Sequence, residues 1–310
     1  MIIVCEHERL KIYMKNYKSG FIAAVGLPNV GKSTLINKIV GQKVAIVSAK
    51  PQTTRNKIIA IRTTRDSQMI FVDTPGIHTP KNKLGEYMVD VASGSIFEAD
   101  VIFFVTSAER EITNTEMDII KKVKASKLPS ILVINKIDAV KKSDLPEQIV
   151  KYNSLHEFNA TVPISAKSGY GVDALITEAE SLLGEGPKFY PEDMVTDINM
   201  RALAAEIIRE KLLTLLDKEI PHGIAVEVLQ FKEDEKKISI SANIYCEKYS
   251  HKSIIIGKNG DMLKKVGTAA RIDLENILEN KIFLELWVKP RDGWRNKAKE
   301  LKNFGYDEKG

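Results

Sequence analysis

The run Phe21-Ile22-Ala23-Ala24-Val25 stops at Gly26, passes through Leu27-Pro28-Asn29-Val30-Gly31-Lys32-Ser33, and continues as the amphipathic stretch 34–40. Nothing else in the chain constrains its fold as tightly. An apolar strand that ends in a glycine turn and re-enters as a helix predicts a doubly wound α/β sheet, mostly parallel, with working loops at the strand C-termini. The spacing fits G-x-x-x-x-G-K-[ST], in which Gly26 and Gly31 let successive N–H groups converge on a phosphate. The helix N-terminus adds partial positive charge. Lys32 is expected to reach the β- and γ-phosphates and the Ser33 hydroxyl to ligate Mg²⁺, with Thr34 next in the same turn.

Three further motifs occur in chain order. The apolar run 70–72 ends in Asp73-Thr74-Pro75-Gly76, an ordinary turn if taken alone. Behind a phosphate loop, it sets Asp73 in the Mg²⁺ shell and the Gly76 N–H against a γ-phosphate. Between the two lies Lys50-Pro51-Gln52-Thr53-Thr54-Arg55, a polar stretch suited to a switch. One of its threonines is expected to meet Mg²⁺ only when the γ-phosphate is present, Thr54 in preference to Thr53. The strand Ile131-Leu132-Val133-Ile134 leads into Asn135-Lys136-Ile137-Asp138, and Val162-Pro163-Ile164 leads into Ser165-Ala166-Lys167. The Asp138 carboxylate can accept from the ring N–H and exocyclic amine of guanine, a donor pair that adenine lacks. Sites built on such bonds discriminate by roughly 10⁴-fold. N–H groups around Ala166 can support the guanine carbonyl. The motifs therefore predict a GTP site with Ser33, Thr54 and Asp73 on the metal and Lys32, Thr54 and Gly76 acting in catalysis.

Two positions bear on hydrolysis. Ile77 comes after Gly76, where many switch GTPases place a glutamine that orients the attacking water, and an isoleucine cannot do this. Slow intrinsic turnover is expected, with water held by backbone, solvent or an added cation. Asn29 has two readings: a ligand for K⁺ lying against the phosphates, or a turn residue chosen for its backbone tolerance.

At 310 residues the chain suits two domains. No apolar run approaches the ~20 residues needed to cross a bilayer, and charges at residues 6–9 argue against a secretory signal. Cys5 and Cys246 are isolated, which fits a reducing cytosol and gives no metal motif. Residues 1–13 read as a disordered extension, 14–186 as the nucleotide domain, 187–198 as a linker and 199–310 as a second domain.

That second domain has a different pattern. A helix from about residue 199 to 219 precedes two alternating strands, 224–231 and 237–245. Ile254-Ile255-Ile256 then leads into Gly257-Lys258-Asn259-Gly260, a helix from 261 to about 280, and a strand 282–288. The order α-β-β-α-GxxG-α-β is that of a bacterial-type (type II) KH domain, an α+β fold whose glycine loop clamps a nucleic-acid backbone beside an apolar groove for about four nucleotides. Lys248, Lys252, Ile256, Gly257, Lys258, Asn259, Gly260, Lys264, Lys265 and Arg271 are the expected RNA contacts. From Lys188 onward there are 22 Lys and Arg against 21 Asp and Glu, so any footprint must be a local patch. Trp287 and Trp294 could stack on bases, although Trp287, in an alternating strand, reads better as core.

The joined pattern resembles the Era family of bacterial GTPases over nearly the whole chain from Met14 to Tyr306. It is carried by G-L-P-N-V-G-K-S, P-Q-T-T-R, D-T-P-G, N-K-I-D, S-A-K, I-I-I-G-K-N-G and L-E-L-W-V-K. The resemblance implies a monomeric GTPase that binds the 3′ end of small-subunit (16S) rRNA and acts in 30S subunit assembly and rRNA maturation. It also implies a cytoplasmic protein with peripheral inner-membrane association. A tRNA-modification-type GTPase shares this style of nucleotide domain, but the KH pattern and the placement of Cys246 in a strand disfavour it.

Overall fold

The computed structural model describes residues 17–217, 220–234 and 236–306, so the expected extension over 1–13 lies outside the described residues. Two compact units form. The first takes the residues up to Ala45, Asn56–His78 and Val89–Asp197; the second takes Ile46–Arg55, Thr79–Met88 and the chain from Ile198 onward.

In the first unit, β1 (Lys18–Val25) leads through the glycine turn into α1 (Lys32–Val40). β2 (Ile58–Thr63), β3 (Ser67–Asp73), β4 (Val101–Ser107), β5 (Ser130–Asn135) and β6 (Ala160–Pro163) complete a sheet of order β2-β3-β1-β4-β5-β6. Only β2 runs antiparallel. Helices include α2 (Lys83–Phe97), α3 (Asn114–Ser126), α4 (Leu145–Leu155) and α5 (Val172–Leu182). Every residue of β4 and of β5 is buried, which is why these strands read as unbroken apolar runs rather than alternating ones. β1 sits between β3 and β4, so the turn after it opens where the strand order reverses, the usual place for a ligand in such sheets. Thr113 and Glu116 form a capping box that starts α3; Glu116, fully buried, also accepts from Thr106 (2.7 Å) and Tyr152 (3.1 Å).

No motif in the sequence marks β2, yet this strand positions the segment C-terminal to α5. Thr196 bridges Ala60, and the Ile61 N–H donates to the Val195 carbonyl at 2.7 Å. The buried Gln68 side chain accepts from the N–H groups of Phe189 (2.7 Å) and Tyr190 (3.0 Å) and donates to the Tyr190 carbonyl (2.9 Å). The stretch 187–197 is therefore held along the first unit by hydrogen bonds.

The second unit orders α6 (Met200–Leu215), β7 (Ile224–Asp234), β8 (Lys237–Cys246), α7 (Tyr249–Ile256), α8 (Asp261–Leu278), β9 (Ile282–Pro290) and α9 (Ala298–Asn303). Asn199 caps α6 by accepting from the Ala202 N–H at 2.9 Å. β7 pairs antiparallel with β8, and β8 parallel with β9, so the expected KH element order is present. Ile207, Ile244, Val266 and Leu274 lie in one core; Ala225, Tyr245, Trp294 and Tyr306 form a second, joined by Leu84 and Met88. Burial raises the Cys246 thiol to about 11, which leaves it an unreactive core residue.

Both tryptophans differ from expectation. β9 turns Ile282 and Val288 inward, and the alternation leaves Trp287 58% exposed rather than in the core. Trp294 is fully buried, its Nε1–H donating to the Gly223 carbonyl at 2.9 Å, so it cannot stack on a base. Among the described residues, no helix is long and apolar enough to cross a membrane.

Replacing Gln68 by Leu strands three backbone groups of residues 189–190. The expected cost is about 1–3 kcal/mol, with faster proteolysis near residue 190. Urea unfolding and limited digestion check this, and an unchanged midpoint and cleavage pattern would contradict it.

Candidate functional site

The phosphate loop is shaped by contacts that only glycine allows. A Cβ on Gly26 (φ 153°) would meet the Val105 carbonyl oxygen at 2.1 Å, and one on Gly31 (φ 98°) would meet Asn135 Nδ2 at 2.2 Å. A Cβ on Gly76 would meet the Pro28 nitrogen at 2.5 Å, so the Asp73–Gly76 turn lies directly against the loop. The Ile77 N–H donates to the Gly26 carbonyl at 3.1 Å, and Thr74 Oγ1 donates to the Ala24 carbonyl at 2.7 Å. Leu27, Val30 and Ile77 are buried in the unit's core, so Ile77 is packing material. Asn29 adopts φ 63°, the left-handed conformation that the turn reading requires.

Ser33 Oγ donates to Asp73 Oδ2 at 2.6 Å, and Asp73 is fully buried. A hydroxyl and a carboxylate from two loops are the hard oxygen donors that Mg²⁺ prefers, so these residues fit the ion. The Lys32 ammonium donates to the carbonyls of Gly26 (3.2 Å) and Leu27 (3.0 Å) within the same loop. Burial pushes it down to about 8, with the Asp73 carboxylate acting in the opposite sense. Thr34 lies in the first turn of α1.

Asn135 is buried at the junction of these loops. Only 2% exposed, it donates from Nδ2 to the Val30 carbonyl (2.8 Å) and accepts at Oδ1 from the N–H groups of Lys136 (2.8 Å) and Ala166 (2.9 Å). One amide thus ties the phosphate loop to both base loops. Lys136 is left-handed (φ 63°), and its ammonium pairs with Glu109 at 2.9 Å. Ile137 packs against the core and donates its N–H to the Ile164 carbonyl at 3.2 Å. Asp138 is exposed at the rim, and its carboxyl is held below the usual range first by the Ser165 hydroxyl. Ser165 and Ala166 are buried, whereas Lys167 is exposed.

Sequence reasoning missed Glu109 and Arg110, whose guanidinium donates to the Pro28 carbonyl at 3.2 Å. Both come just after the buried strand β4, and charged residues past a strand C-terminus were the available signal. Thr53 and Thr54 belong to the stretch grouped with the second unit. The Thr53 hydroxyl donates to the Lys50 carbonyl at 2.7 Å, and Thr54 is buried.

In the second unit, a groove of about 390 Å³ runs between α8 and β9. It is lined by Gly260, Leu263, Lys264, Gly267, Thr268 and Arg271 on one side and by Ile282, Phe283, Leu284 and Leu286 on the other. Gly257 (φ 76°) could not carry a Cβ, which would lie 2.7 Å from Met262 Cβ; Gly260 and Asn259 are also left-handed. Lys258 and Asn259 are exposed at the loop tip. Lys248 caps α7 and Lys252 lies within it, with Lys252 Nζ 5.9 Å from the Tyr249 ring centroid, and Ile256 ends that helix half-buried. Lys265 is exposed but does not line the groove. Leu263, Gly267, Thr268 and Phe283 were not anticipated, although Gly260, Lys264 and Thr268 sit at helical spacing along one face.

Lys32 gives the phosphate site a pH dependence. Its protonated form binds phosphate, so affinity is full below about pH 8 and is lost as pH rises through that value. Fluorescent GDP titrations from pH 7 to 9 are expected to weaken toward a limiting slope of about tenfold per pH unit. A Lys32→Met chain is expected to give a flat profile; the same slope in both chains would contradict the assignment.

A family model described as 50S ribosome-binding GTPase matches residues 21–136, and one described as KH domain matches residues 219–295. The chain is 53% identical over 292 residues to GTPase Era of Ruminiclostridium cellulolyticum, covering 94% of this chain and 98% of the relative. It is 50% identical to GTPase Era of Alkaliphilus metalliredigens, covering 94% of this chain and 100% of that protein. A crystal structure of an Aquifex aeolicus Era variant bound to GDP·AlF4⁻ superposes with a TM-score of 0.91 at 41% identity, covering 93% of this chain and 99% of that one. An Era in complex with MgGDPNP and nucleotides 1506–1542 of 16S ribosomal RNA gives a TM-score of 0.91 at 40% identity, covering 94% and 99%. With a phosphate loop, a guanine-reading loop and a KH groove joined in one chain at this level of identity, the chain belongs to the GTPase Era family.

Proposed function

We propose that this GTPase grips the single-stranded 3′ end of small-subunit rRNA in the α8–β9 groove and acts in 30S subunit assembly and rRNA maturation, with nucleotide state setting the grip. The observation that carries this reading is the presence of both sites in one chain: a phosphate loop braced to the base loop by Asn135, and a Gly257–Gly260 loop at the head of an apolar groove. The related Era solved with both a GTP analogue and an rRNA fragment supports the pairing. Action on rRNA puts the work in the cytoplasm.

Each group then has a defined task. The loop N–H groups from Asn29 to Ser33 and the Lys32 ammonium hold the β- and γ-phosphates in line for attack. Mg²⁺, when bound, would neutralise charge developing on those phosphates; Ser33 and Thr54 would supply hydroxyl ligands and Asp73 would order the water around it. Gly76 offers its N–H to the γ-phosphate. Because Ile77 is buried in the core, no side chain at that position orients the water, and turnover rests on backbone and solvent. Asp138 reads the guanine edge, and the Ala166 N–H, by donating to Asn135, ties the Ser165–Lys167 loop to the same brace. In the second unit, Lys258, Lys264 and Arg271 meet RNA phosphates, while Leu263, Phe283 and Leu286 receive bases.

Asp138→Asn is expected to exchange guanine for xanthine preference, because an amide can donate where the carboxylate accepts. Nucleotide competition decides it: GTP remaining the best competitor would remove the base-reading role. The pair Lys258→Glu and Lys264→Glu is expected to weaken binding of a single-stranded 3′ 16S fragment by about tenfold or more while GTP affinity stays constant. Undiminished RNA binding would overturn the groove assignment.

A further inference from the structure

The bend that follows β4 sends two charged side chains to two different loops of the first unit. The Lys136 ammonium donates to Glu109 Oε2 at 2.9 Å, and that carboxylate also accepts from the Ser107 hydroxyl at 3.3 Å. The Arg110 guanidinium donates to the Pro28 carbonyl at 3.2 Å. One contact ends on the base loop and the other on the phosphate loop. The bend itself is held from behind. Its Ala108 N–H donates to the Asn135 carbonyl at 2.8 Å, and the Arg110 N–H to the Ser107 carbonyl at 3.1 Å. From α4, Gln148 Nε2 donates to the carbonyls of Ala108 (2.6 Å) and Arg110 (3.4 Å).

Stability does not explain the ion pair. The side chains of Lys136 and Glu109 are 35% and 44% exposed, and a pair so open to water contributes at most about 1 kcal/mol. What the two contacts fix is geometry. A peptide unit is planar and trans, so a held Pro28 carbonyl sets the direction of the Asn29 N–H, the first of the loop donors. Glu109 restrains a long, rotamer-rich side chain two residues before Asp138. A lysine ordered before the nucleotide arrives loses less conformational freedom on binding.

We propose that Glu109 and Arg110 are positioning residues for guanine-nucleotide binding: Arg110 aligns the phosphate loop through Pro28, and Glu109 presets Lys136 at the base loop. This rests on the base-reading role given above to residues 135–138. Asn135 ties the same two loops through bonds buried in the core, whereas Glu109 and Arg110 act from the partly exposed side of the site. Their loss therefore changes affinity and leaves the fold in place.

The full chain is titrated with fluorescent GDP, with GMP and guanosine as competitors, and its Tm is read without nucleotide. Arg110→Met is expected to weaken GDP about fivefold and guanosine by less than about twofold, because guanosine carries no phosphate for the loop to hold. Glu109→Gln is expected to weaken GDP, GMP and guanosine by one shared factor of about three, and to have no effect on a Lys136→Met background. Tm is expected to stay within about 2 °C in both variants. A merely structural role predicts instead a lower Tm and the same loss for every ligand in both. Equal losses on GDP and guanosine for Arg110→Met, unchanged GDP affinity in either variant, or a Glu109→Gln loss that persists on the Lys136→Met background would each overturn the proposal. If Lys136→Met itself leaves guanosine affinity unchanged, the base-loop reading fails as well. If Lys136→Met weakens guanosine and Glu109→Gln does not, only the positioning role falls.

Discussion

A single buried amide holds the nucleotide site together. Asn135 uses both ends of its side chain, donating to the phosphate loop at Val30 and accepting from Lys136 and Ala166. Those partners come from three separate strand ends, and each would be a stranded polar group in the core if the amide were lost. Gly31 is glycine for the same reason, since a methyl group there would collide with that amide. Phosphate binding and base recognition therefore share one brace. Asp138 can remain at the solvent rim because its loop is already fixed from behind.

The second unit uses polar groups differently. Its α8–β9 groove is apolar at the floor and basic at the lip, a combination that suits single-stranded nucleic acid. Deeper in, two arginines with at most 2% exposure face backbone carbonyls, aromatic rings and one shared acidic neighbour. Such burial is poor evidence for stability. Arg209 holds the Thr53 carbonyl, and Arg55 is held by its own side chain two residues on.

Much of this is legible in the sequence because it is local. The phosphate loop announces itself through glycine spacing, and the buried strands through unbroken apolar runs. The KH order emerges from alternation interrupted by Gly257-Lys258-Asn259-Gly260. The features hidden from sequence depend on distant partners. The Asn135 brace needs a carbonyl from a loop about a hundred residues away. β2 escapes notice because nothing local marks an antiparallel edge strand beside a switch. Trp287 is easily assigned to the wrong face because both faces of β9 carry large apolar residues, and only the placement of α8 settles which is covered. Arg55 sits in a stretch that looks solvated, yet it is buried because His222, Ile224 and Tyr306 converge on it from different places in the sequence.

The central claim is that occupancy of a guanine site governs an RNA clamp elsewhere in the same chain. The most direct measurement is the affinity for a labelled single-stranded 3′ 16S rRNA fragment with GDPNP and Mg²⁺, with GDP and Mg²⁺, and without nucleotide. Binding is expected to be tighter by about fivefold or more with GDPNP than in the other two states. Identical affinity in all three would contradict the claim.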